Sequence, residues 1–73
     1  MDLQELRRQN GFTQKTFSQG LNVSRSTVAM WETGRSEPRS KDIPKIAQLS
    51  KVPIEVVVQC IIKSKTKNSP VGE

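Results

Sequence analysis

Between residues 24 and 36 the chain carries Ser24, Arg25, Ser26, Ala29, Met30, Thr33, Arg35 and Ser36 at spacings that suit one helix and the turn after it. Wound at about 100° per residue, Arg25, Ser26, Ala29, Met30 and Thr33 fall within an arc of about 140°. Val28, Trp31 and Glu32 fall on the other side. The first arc holds mostly short side chains, one long cation at its N-terminal end and no acid. Such a face can approach the edges of stacked bases: a guanidinium donates two hydrogen bonds to guanine, and small apolar groups meet thymine methyls. The chemistry is recognition, not bond-making. The chain has no histidine, and its one cysteine is Cys60. It therefore lacks the commonest general base and any ligand set for zinc. No nucleophile–base pair and no paired carboxylates stand out, so neither an enzyme nor a bound cofactor or metal is expected.

The elements that must position this face can be read around it. Thr13 is an N-cap candidate for a helix over residues 14–20, and Ser24 for one over residues 25–33. Gly20 to Asn22 looks like a helix end. Asn22 suits the left-handed conformation of a tight turn, and Gly34 suits the residue that ends the following helix. Phe17, Leu21, Val23, Val28 and Trp31 supply the apolar positions, and Ser18 is slim enough to let two helices touch. Together these make a helix-turn-helix. Helix N-termini attract anions. Thr13, Gln14, Lys15 and Ser24 lie at two such termini, and Arg35, Ser36, Arg39, Ser40 and Lys41 follow the second helix. These residues flank the recognition face on both sides, as a clamp on two phosphate ridges would.

Three further helices complete the pattern. Asp2 caps one over residues 2–9, whose Leu3 and Leu6 share a face, before Asn10-Gly11 stops it and Phe12 turns back to the core. Another is expected from about residue 41 to residue 50, with Pro44 in its first turn, Ser40 or Asp42 as cap, and Ile43, Ile46, Ala47 and Leu49 buried. Pro53 opens the last, over residues 54–62. Residues 63–73 are polar, basic and interrupted by Pro70, which reads as a disordered tail. The expectation is one all-α domain over residues 1–62.

Composition agrees with an anionic partner. The 73 residues carry a net charge of +5, which favours a polyanion, nucleic acid before membrane. The early charges Asp2, Glu5, Arg7 and Arg8 do not suit a signal peptide, and no apolar run approaches the roughly 20 residues of a membrane span. A soluble, cytoplasmic protein that does not bind membranes is expected.

The stretch TQKTFSQGLNVSRSTVAMWETG resembles the helix-turn-helix of the Cro/CI repressor family of phage and bacterial regulators, also called the Xre family. The similarity runs from about Leu3 to Val57. Ser18 stands where alanine is usual, and Asn22 where glycine is usual. The resemblance implies a five-helix, lambda-repressor-like fold with helices two and three as the DNA-binding pair. It implies sequence-specific binding to double-stranded DNA and a role in transcription regulation, as a repressor. Gln14 matches a phosphate-binding position. Ser24, Arg25, Ser26, Ala29 and Met30 match groove-facing positions. Thr33, Arg35 and the following loop match backbone-contacting positions. Arg7 and Glu32 match a position pair that forms a salt bridge in some members. That pair also has a physical reason: Glu32 lies on the core side of its helix, and a buried charge needs a partner.

The last helix is unusually apolar. Ile54, Val56, Val57, Val58, Cys60, Ile61 and Ile62 are too many for one face. Val56, Val58, Cys60, Ile61 and Ile62 are expected to pair two copies, and a symmetric dimer would read a two-fold related operator. Sealing the core of a monomer is the alternative. A second functional reading is an antitoxin or other protein-interaction module on the same fold, with this helix receiving a protein antagonist or partner. The absence of acids on the recognition face favours DNA.

Overall fold

The computed structural model describes residues 1–67, and among them there are five α-helices and no strand. They are α1 (Leu3–Gln9), α2 (Gln14–Leu21), α3 (Arg25–Glu32), α4 (Asp42–Ser50) and α5 (Ile54–Lys67). Three of them start from side-chain caps. The carboxylate of Asp2 accepts from the Glu5 amide at 2.9 Å while the Glu5 side chain accepts from the Asp2 amide at 3.0 Å, a reciprocal capping box. Thr13 and Thr16 form the same kind of box at α2. Ser24 Oγ accepts from the Thr27 amide at 3.1 Å at α3.

α1 to α4 end alike. In each, one residue takes a left-handed backbone: Gly11 and Gly34 at φ 78°, Asn22 at φ 59° and Lys51 at φ 58°. Its amide and the next one turn back onto the last carbonyls of the helix. At α3, for example, Gly34 N donates to Trp31 O at 3.3 Å and Arg35 N to Met30 O at 3.0 Å. This satisfies carbonyls that a helix end would otherwise leave unpaired.

α2 packs on α3 and α4, α1 on α3 and α5, and α4 and α3 on α5. The helices enclose a core of Leu3, Leu6, Phe17, Leu21, Val28, Trp31, Ile46, Ala47, Val57, Cys60 and Ile61. Phe12 packs against this core, its ring 5.4 Å from that of Phe17. The fold is the lambda-repressor-like all-α arrangement.

The structure departs from the sequence expectations in four places. Gly20 lies inside α2 and ends nothing; a Cβ there would stand 2.9 Å from Leu49 Cδ2, so this glycine lets α2 and α4 come close. Neither Ser40 nor Asp42 caps α4. Lys41 holds the cap position without a side-chain bond, and Asp42, buried, accepts from the Arg39 amide at 3.0 Å. α5 does not stop at Ile62 but runs to Lys67, because Val57, Cys60, Ile61 and Ser64 recur at helical spacing on its buried side. Ser64 is fully buried, and its hydroxyl accepts from the Leu3 amide at 3.0 Å, one of the orphan donors of α1. The rest of the expected tail, residues 68–73, lies outside the described residues. Finally, Cys60 and Ile61 are 1% and 7% exposed and belong to the chain's own core, not to a surface for a second copy. They lie three and four residues after buried Val57, so they share its face. Burial also pushes the Cys60 thiol up from its ordinary pKa, as suits a side chain serving as a small hydrophobe.

Candidate nucleic-acid interface

The recognition face is set by what fixes its opposite side. Val28, Trp31 and Glu32 are 1%, 4% and 4% exposed, so α3 cannot roll about its axis without breaking the core. That leaves Arg25, Ser26, Met30 and Thr33 exposed and Ala29 half-buried on the outward side. Arg25 opens the helix and Met30, the bulkiest apolar group on this face, is 40% exposed.

The orientation of α3 against α1 and α2 rests on a buried polar network. Arg7 Nε donates to Glu32 Oε2 at 2.6 Å, and Arg7 Nη2 reaches Glu32 Oε1 at 3.4 Å. The remaining side of the guanidinium donates to Phe12 O at 2.8 Å, tying in the turn between α1 and α2. Gln14 Nε2 donates to Glu32 Oε1 at 3.1 Å. One carboxylate thus holds α1, the start of α2 and the end of α3 in register. Such a pair is favourable when further hydrogen bonds satisfy both ions. The family resemblance and a carboxylate on the core side of α3 announce the Arg7–Glu32 pair; the parts of Gln14 and the Phe12 carbonyl do not show in the sequence, because both residues have ready local explanations.

The residues expected beside the phosphates fall into two groups. Lys15, Arg35 and Arg39 are exposed, and Ser36 is half-buried. Several hydroxyls are already engaged locally. Thr13 Oγ1 accepts from the Thr16 amide, Ser24 Oγ lies 2.7 Å from Thr27 Oγ1 and 3.1 Å from Ser26 Oγ, and Thr33 Oγ1 donates to Ala29 O or Met30 O. Gln14 is half-buried and turned to Glu32. Thr13, Gln14 and Ser24 thus mark the capped N-termini of α2 and α3, while Thr33 closes the C-terminal end of α3.

The segment after α3 folds back beside it. Val23, Thr27 and Trp31 line a cleft of about 390 Å³ together with Arg39, Lys41 and Lys45 and the acids Glu37 and Asp42. Lys45 was not among the residues singled out from sequence. Its place four residues after Lys41, in the first turns of α4, is the signal that could have found it. Three cations and two carboxylates therefore line this cleft beside α3.

The apolar residues of α5 sort by face. Val57, Cys60 and Ile61 point inward and Val56 is half-buried, whereas Ile54, Val58 and Ile62 are 48%, 39% and 54% exposed at a four-residue spacing. Of the five residues expected to pair two copies, Val58 and Ile62 are exposed, and Ile54 joins them. Among the described residues no helix is long and apolar enough to cross a membrane, and no cluster of His, Cys, Asp and Glu could hold a metal ion.

Comparison with known proteins agrees with this geometry. The family model described as Helix-turn-helix matches residues 3–57, which spans α1 to α4 and the start of α5. No curated protein and no solved structure gave a significant match. A capped pair of helices, the second locked by its core side and open on the other, thus coincides with a family match over most of the chain, and the protein belongs to the Cro/CI-type (Xre) helix-turn-helix family of DNA-binding regulators.

Proposed function

We propose that the protein is a sequence-specific transcriptional repressor that inserts α3 into the major groove and binds a two-fold related operator as a homodimer. The observation that carries this reading is the outward face of α3: Arg25, Ser26, Ala29 and Met30, short apart from Arg25 and Met30, free of acids, on a helix whose roll is fixed by Val28, Trp31 and Glu32. Arg25 reads a guanine edge, while Ala29 and Met30 meet thymine methyls. The N-termini of α2 and α3, with Thr13, Gln14, Lys15 and Ser24, face one phosphate ridge. Thr33, Arg35, Ser36 and Arg39 face the other, and these contacts supply affinity without sequence preference. The repressor role rests on the resemblance to the Cro/CI repressors, and a bound protein exerts it by occluding the DNA.

The stripe Ile54, Val58 and Ile62 supports the homodimer. In an antiparallel crossing with a two-fold axis at Val58, Ile54 of one copy meets Ile62 of the other, so the stripe is complementary to itself. The same stripe supports the second reading, a module whose main partner is another protein. Selection of bound duplexes from a random pool tests the proposal. Enrichment of two-fold related half-sites about one helical turn apart is expected. A pool that stays unenriched at low salt would overturn it.

A further inference from the structure

On the reading just proposed, the segment after α3 lies along a phosphate ridge, and one residue in it is ill suited to that place. Glu37 is the only acid in residues 33–41, where it stands among Arg35, Arg39 and Lys41. A carboxylate held beside phosphates is repelled by them and opposes the attraction of its basic neighbours. Glu37 does not face solvent alone. Its Oε2 accepts from Lys65 Nζ at 2.8 Å, with both side chains about half exposed, at 52% and 49%.

Lys65 comes from the last turns of α5, beyond the family match at residues 3–57. The core holds those turns in place: Ile61 is buried, and Ser64, next to Lys65, is fully buried and accepts from the Leu3 amide at 3.0 Å. The backbone that carries Lys65 is therefore fixed relative to α1, and its ammonium reaches across to the segment that follows the recognition helix.

We propose that Lys65 is a positioning residue for DNA binding, which neutralises Glu37 and so lets the segment between α3 and α4 settle against the phosphates. This rests on the proposed DNA-binding surface. It differs from a direct contact of Lys65 with DNA in one consequence: the harm done by removing Lys65 comes from the carboxylate left uncovered. Removing that carboxylate as well repairs it.

The test is fluorescence anisotropy of the full chain on a short mixed-sequence DNA duplex at low salt. Lys65→Met weakens binding by about two- to fivefold, the range expected of a single surface charge pair. Glu37→Gln alone binds at least as tightly as the parent chain, and adding Lys65→Met to it changes affinity by less than about twofold, because no carboxylate is left to uncover. Lys65→Arg binds as the parent does. The differences shrink above about 0.1 M salt, where exposed charges are screened over about 10 Å. Thermal midpoints stay close to the parent's, because the pair is exposed. If Lys65→Met weakens binding as much in the Glu37→Gln background as in the parent chain, Lys65 acts on DNA directly and the proposal is wrong. If Lys65→Met binds normally while Arg39→Ala weakens binding, the pair has no part in DNA binding and the proposal is wrong, with the DNA-binding surface left standing. If neither Arg35→Ala nor Arg39→Ala alters affinity or its salt dependence, the segment does not touch DNA, and the parent reading of it fails together with this one.

Discussion

Glu32 is 4% exposed and receives three donor groups, Arg7 Nε, Arg7 Nη2 and Gln14 Nε2. Removing it leaves the Arg7 guanidinium buried without its counter-ion, which costs about 3–5 kcal/mol in comparable cases. For a domain of this size each kcal/mol moves the midpoint by roughly 4–8 °C. Glu32→Ala therefore lowers the thermal midpoint by more than about 10 °C, whereas Glu37→Ala, which removes an exposed pair, lowers it by only a few degrees. Differential scanning calorimetry on both variants checks this, and equal shifts would remove the network from the account. At this scale the sequence was legible where a charge fell on a core face, since that demands a partner. It was silent where one group did two things. Gln14, a phosphate candidate by position, spends its amide nitrogen on Glu32, and Asp42, a cap candidate, bonds back to the Arg39 amide instead.

The helices themselves were readable from their ends. Asp2, Thr13 and Ser24 cap as their side chains suggest, and Gly11, Asn22 and Gly34 take the left-handed backbone that ends α1, α2 and α3. Three features escaped. Lys41, not Ser40 or Asp42, holds the cap position of α4. Lys51 ends α4 in the same left-handed conformation, although lysine has no special liking for it. α5 also runs five residues further than its apolar pattern suggests, because the residue that continues the buried stripe is Ser64, a polar side chain that reads as surface until its partner, the Leu3 amide, is known. Ser64→Ala leaves that buried donor unsatisfied and costs about 1–3 kcal/mol. Urea denaturation measures it. No loss of stability would mean that the last turns of α5 are not docked on α1.

The whole molecule presents two outward surfaces on one core. The face of α3 is short and acid-free, and the stripe of α5 is aliphatic. The apolar excess of α5 was plain in the sequence, but its division was not, because seven apolar residues in nine cover every side of a helix. Packing against α1, α3 and α4 decides that Cys60 and Ile61 go inward and that Ile54, Val58 and Ile62 stay out. A charge at the centre of the stripe separates pairing from folding. Val58→Glu is expected to sediment as a monomer at concentrations where the parent chain is dimeric, with its helical content intact. A parent chain that is monomeric at micromolar concentration would rule out the homodimer. The account as a whole stands on α3 reading bases through Arg25. The direct measurement compares the parent chain and Arg25→Ala on a duplex recovered by selection and on an unrelated duplex of equal length. Loss of about 1–3 kcal/mol of binding on the selected duplex is expected, with little change on the unrelated one, since a bidentate base contact is worth that much discrimination. Equal affinity of both proteins for the selected duplex would contradict the account.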